Sequence, residues 1–128
     1  MFKIVKYLGG RGAYPDALEI QVTADVEVGT ALTETGAKAT GDVSVAYVTA
    51  APAKSGEKVI CYRVTPDIVF EARLGAYSAG TVKVGTAVTI GSDAKSITAT
   101  AVSSGKGAKI IDVNGAAATG DTVHVVLA

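Results

Sequence analysis

The feature that most constrains this chain is a period of two. Leu18, Ile20 and Val22 alternate with Glu19, Gln21 and Thr23, and Val43, Val45 and Tyr47 alternate with Ser44, Ala46 and Val48. Successive side chains of a strand point to opposite faces, so such runs read as half-buried β-strands. No window sustains the helical period of about 3.6 residues. Composition points the same way: Val, Ile and Thr supply 40 of the 128 residues, against five Leu, one Met and no Trp. Helix bundles draw on Leu and Met, whereas β-branched residues suit a pleated surface. The length is one domain's worth, enough to bury a core without metal or disulfide support.

The strand candidates are Ala17–Val28, Asp42–Thr49, Lys58–Val64, Ile68–Ala72, Thr81–Ile90, Ser96–Val102, Ala108–Val113 and Thr122–Leu127. Glycine-rich or Asp/Asn-Gly turns separate most of them. Ser103–Gly107 and Asn114-Gly115 have the look of hairpin connections, and Thr65-Pro66-Asp67 is a turn with φ pre-set by proline. A short helix around Asp67–Leu74 or Ala13–Glu19 is the competing assignment. Phe2–Leu8 alternates weakly and reads as extended, and Gly9–Asp16 holds too much glycine and proline for a regular element. The expectation is therefore an all-β fold, a small β-barrel or sandwich of short strands. Residues 1–16 form an extended N-terminal arm, mobile until a partner orders it, and residues 17–128 a single β-rich domain.

Two internal echoes stand out. Val26–Thr33 matches Val82–Thr89 at six of eight positions, and Ala39-Thr40-Gly41-Asp42 recurs as Ala118-Thr119-Gly120-Asp121. Each places glycine with Thr or Asp just ahead of an apolar run. Glycine allows a sharp turn there and the polar side chain bonds nearby backbone, so one strand-entry turn is reused.

Function classes fall away on charge and chemistry. Twelve basic and twelve acidic residues cancel, leaving no electrostatic footprint for nucleic acid or an anionic membrane. The single cysteine rules out an intramolecular disulfide and a multi-cysteine zinc site. No stretch approaches the roughly 20 apolar residues of a membrane helix. Apolar runs near the start stop at two residues, short of a secretory signal, so synthesis and folding in the cytoplasm are expected. His124 sits on the face of Thr122 and Val126, a surface or subunit-contact position with no orienting carboxylate nearby in sequence. Cys61 alternates with Ile60 and Tyr62 and reads as a structural thiol, although Arg63 shares its face. Gly9-Gly10-Arg11-Gly12 lacks the Gly-Lys-Ser/Thr ending of a phosphate loop. Asp67, Glu71, Asp93 and Asp112 show no paired spacing. No catalytic residue, metal site or cofactor is expected.

The whole arrangement resembles the small head-decoration, or capsid-cementing, proteins of tailed bacteriophages. The likeness lies in the Gly-rich opening Met1–Asp16, the strand leading into Val26–Leu32, and the polar stretch Thr35–Asp42. Ala46-Tyr47-Val48-Thr49-Ala50-Ala51-Pro52 and the ending Gly120–Val126 complete it. The resemblance implies a non-enzymatic virion protein, commonly a trimer, that binds the outside of a mature capsid and clamps neighbouring major capsid subunits. Its N-terminal arm would add to a capsid-protein sheet, and in this chain Phe2, Ile4, Tyr7, Arg11 and Tyr14 would be the contacts. Direct nucleic-acid or membrane binding is not implied. The alternative is a small β-barrel binding module, carbohydrate-binding or adhesin-like, although such modules usually stack sugars on Trp, and this chain has none.

Overall fold

The computed structural model of the chain describes residues 1–8, 16–78, 80–102 and 106–127. Strand is the dominant element and no helix occurs among these residues. Ten strands form: β1 (Lys3–Tyr7), β2 (Ala17–Gln21), β3 (Ala31–Leu32), β4 (Tyr47–Thr49) and β5 (Lys58–Arg63), then β6 (Ile68–Tyr77), β7 (Ala87–Ile90), β8 (Ser96–Val102), β9 (Ala108–Asp112) and β10 (Thr122–Val126).

Five of these strands close a β-barrel. The order β6-β10-β9-β7-β8 returns to β6 through a parallel pairing in which Arg73 faces Ser96 and Leu74 faces Ile97. The ten residues of β6 make this possible. Its first half pairs with β1 and its second half with β8, while β10 runs along the opposite edge. Closure removes most of the unpaired edge that a small sheet would expose. Inside, period two does its work: Phe70, Leu74, Ile97, Ile110, Val123 and Val125 are all fully buried.

The remaining strands form a four-stranded antiparallel sheet, β2-β5-β4-β3. Its inner face makes a second, smaller core from Val22, Val26, Leu32, Tyr47, Val59 and Cys61. The two sheets are not separate bodies. Ala31, Ala39, Val45 and Val48 belong to the barrel core, and backbone bonds cross between them. Ala31 N–H donates to the Ala94 carbonyl at 2.7 Å, and Gly41 and Ile90 exchange two bonds at 2.8 and 2.9 Å.

Several expectations are corrected. The N-terminal arm is no arm over its first half: β1 pairs antiparallel with β6, and Phe2 is 2% exposed in the barrel core. An aromatic ring with a place in the core gains more from burial than an extended tail gains from freedom. Residues 9–15 lie outside the described part. Asp42–Thr49 forms a strand only at Tyr47–Thr49: Gly41 bridges Ile90 of the barrel and Val43 and Val45 pack on the barrel core, while Ala46 already bonds within the second sheet. Thr81–Ile90 is strand only from Ala87. The two helical alternatives fail: Ile68–Leu74 lies in β6, which runs beyond the expected Ala72, and Ala17–Glu19 lies in β2. Of the expected hairpin connection Ser103–Gly107, residues 103–105 lie outside the described part, and the flanking strands β8 and β9 are not paired, since β7 lies between them. Asn114-Gly115 does lie between paired neighbours, β9 and β10, with both residues at positive φ.

Candidate functional site

Three places in the fold combine exposure with chemistry. The first is the open side of β1. Among the described residues, β6 is the only strand beside it. Its register carries a bulge: Lys3 and Ile4 face Glu71 and Phe70, Lys6 and Tyr7 face Val69 and Ile68, and Val5 is the extra residue. Glu71 and Val69 are two apart on β6 and share the barrel's outer face. Three residues of regular strand would put Lys3 and Lys6 on opposite faces; the bulge brings both outward. Both are exposed. Beside the start of β1 lies a groove of about 240 Å³, bounded by Met1 and Ile4 on one side and Val28, Val48, Ala50 and Tyr62 on the other. The Phe2 N–H donates to the Gly29 carbonyl at 3.0 Å and fixes the width of its floor. Met1 and Val28 leave apolar surface open at it, being 51% and 42% exposed.

The second is a larger cleft of about 650 Å³ where the 25–30 and 52–57 segments meet the turn between β7 and β8. Carboxylates and ammonium groups line it, and the carboxylates are already engaged. Asp25 accepts from the Ser55 N–H at 2.9 Å and pairs with Lys54 at 3.5 Å. Glu27 is bonded to the Lys95 ammonium. Asp93 accepts from the Lys95 N–H and the Ser96 hydroxyl, both at 2.9 Å, and Glu57 accepts from the Lys54 N–H at 2.6 Å. The Ser55 N–H and then Lys54 hold Asp25 below the usual carboxylate range, and the Lys95 hydrogen bond and charge do so for Glu27. Burial raises Asp93, but the Lys95 N–H, the Ser96 hydroxyl and the Lys95 charge together bring it down. A general acid near neutral pH needs a shift in the opposite direction. These carboxylates tie segments together.

The third is His124 on the outer face of β10. It faces Glu71 on β6 and Asp112 on β9, and Lys3 faces Glu71 in turn, so a row of four ionisable groups crosses four strands. His124 Nδ1 is buried, lies 3.8 Å from Asp112 Oδ2, and has no hydrogen-bond partner among the described residues. No group of three His, Cys, Asp or Glu that could hold a metal ion occurs among the described residues. Cys61 is fully buried, and desolvation pushes its thiol up to about 11. Arg63, the residue that kept a reactive cysteine in view, lies over the Tyr47 ring at 5.3 Å.

Comparison with protein-family models, with curated proteins and with solved structures returns no match. Local geometry has to carry the functional reading.

The contacts expected from sequence divide accordingly. Phe2 is a core residue, and Ile4 packs against the barrel core while bordering the groove. Tyr7 ends β1, and Arg11 and Tyr14 lie outside the described residues. Sequence reasoning passed over Lys3, Lys6, Val28 and Tyr62. The lysines stand in plain view, but nothing in the run Lys3–Tyr7 announces the bulge that aligns them. Val28 and Tyr62 meet the N-terminus only through the tertiary fold.

Proposed function

We propose that this chain is a non-enzymatic virion structural protein that binds the outer surface of a phage capsid and cements neighbouring major capsid subunits, working as a homo-oligomer, a trimer. The observation that carries the reading is the open edge of β1 beside an apolar groove. A protein whose work is to hold other subunits needs backbone groups and apolar surface that its own fold does not consume. The overall sequence layout supports the same reading. The trimer is the ring that a heterologous contact between identical copies closes when its rotation is threefold.

The test uses phage capsids assembled from the major capsid protein of the genome that encodes this chain. Mature capsids lacking the decoration layer are mixed with the purified chain and sedimented, and their disassembly temperature is recorded. Co-sedimentation to a fixed stoichiometry with a raised disassembly temperature is the expected result. If the chain stays in the supernatant over the full concentration range, the reading is wrong. Light scattering on the free protein and on protein released from the particle tests the trimer separately.

A further inference from the structure

We propose that β1 accepts an extended segment of a partner protein in which acidic and apolar side chains alternate, added antiparallel or parallel to its open edge. The inference rests on the reading of β1 as a docking edge given above and supplies the chemistry that edge would select.

Backbone bonding gives such an added strand its affinity, and side-chain pairing gives it register and specificity. Directly paired residues share a face. On the outer face, the bulge at Val5 sets Lys3 and Lys6 side by side, both exposed. Lys3 has Glu71 opposite it on β6, but Lys6 has Val69, an apolar neighbour with no charge to balance the ammonium. Neither lysine takes part in an ion pair within 4 Å among the described residues. Acidic side chains on the outward face of the added strand would meet both. The alternate positions of that strand turn toward Ile4 and the groove, where Met1, Val28, Ala50 and Tyr62 present apolar wall. One strand of period two therefore satisfies both sides at once, acid outward and apolar inward. A uniformly polar segment would leave the groove wet, and a basic one would meet like charge.

The experiment uses the full chain labelled with ¹⁵N and a synthetic heptapeptide of alternating valine and glutamate, acetylated and amidated. The expected result is saturable amide shifts confined to Lys3–Tyr7 and to the groove residues Val28, Ala50 and Tyr62. The peptide with lysine for glutamate should bind at least tenfold more weakly. Lys3→Glu/Lys6→Glu, two exposed substitutions whose unchanged spectrum elsewhere certifies the fold, should reverse that preference. N-methylation of every peptide amide should abolish binding, because it removes the backbone bonds whichever edge of the peptide faces β1. Any of four results overturns the proposal: no shift at β1 up to millimolar peptide, equal shifts with the lysine peptide, binding that survives N-methylation, or β1 shifts that follow protein concentration without peptide. The first would make the bulge and lysines a guard on the edge, and the last would assign the edge to a second copy of the chain. Capsid co-sedimentation can fail while the peptide binds, or succeed while it does not, so the two readings are judged separately.

Discussion

Gly29 and Gly85 occupy the same place in the repeated Val-Gly-Thr-Ala segment, and they do different jobs. Both have positive φ, +75° and +89°, as do Gly41 and Gly120 of the second echo at +76° and +97°. The turn itself thus requires glycine at each point, since a side chain is disfavoured in that region. The polar neighbours behave as the pattern implied: the Thr30 hydroxyl donates to the Glu27 carbonyl at 2.8 Å, and Asp121 Oδ2 accepts from the Ala117 and Ala118 N–H groups. Space separates the two copies. A Cβ on Gly29 would lie 2.5 Å from Met1 Cβ and 3.0 Å from the Phe2 carbonyl, whereas on Gly85 it meets nothing within 4 Å. Gly85→Ala should therefore cost only the backbone preference, about 1 kcal/mol. Gly29→Ala should cost clearly more and disturb the start of β1. Urea denaturation of the two variants side by side checks the difference; equal losses would mean the N-terminus is not docked at Gly29. Cys61 gives a second prediction at this scale. A buried thiol with its pKa near 11 has almost no thiolate at pH 8, so labelling by an aromatic disulfide should be at least a hundredfold slower in native than in urea-unfolded protein.

β1 decides how the N-terminus is read. Deleting an arm would leave the fold intact, but deleting a strand whose first turn buries Phe2 opens the barrel core. Phe2→Ala should lower stability by about 3 kcal/mol, within the usual cost of truncating a buried aromatic. Removal of residues 1–8 should cost more than that and raise the binding of a dye for exposed apolar surface. A truncated chain with an unchanged unfolding midpoint would restore the arm. β6 carries the other consequence at this scale. Its length lets it serve β1, β10 and β8 together, and the irregular register between Leu74 and Ala76 turns its second half toward β8. Neither the parallel pairing nor the bulge on β1 has a sequence mark, because both arise where an edge must be shared.

At the scale of the molecule, two cores are held against one another by backbone bonds, and the long-range ion pair of Glu27 with Lys95 adds to them. Glu27, Asp25 and Asp93 all lie below their ordinary folded-free values. A carboxylate with a depressed pKa in the native state contributes stability in full above its unfolded value, about 4. That contribution is lost as the pH falls through the lower native value. Stability should accordingly hold between pH 5 and 7 in this respect and decline below about pH 4. Glu27→Gln should be less stable than the parent at pH 7 and converge with it near pH 2. Urea midpoints across that range, repeated at high salt, check the effect; because these groups are exposed, salt should shrink it. Curves that stay parallel down to pH 2 would show that the pair contributes nothing to stability.

Period-two alternation and β-branched composition determined the fold class, because the pleat of a strand is a local property that adjacent residues express by themselves. The outward placement of His124 and the burial of Cys61 followed from the same alternation. The echo turns were legible as well, since positive φ leaves a direct mark in glycine. Barrel closure was not, nor the division of ten strands between two sheets, because pairing partners are chosen by side-chain packing among segments far apart in sequence. The candidate docking edge belongs to this second kind. Lys3 and Lys6 share a face only because Val5 bulges against β6, and the groove exists only because Val28 and Tyr62 come to rest beside Met1. Local sequence can set which way a side chain points along a regular strand; it takes the assembled core to set what stands opposite.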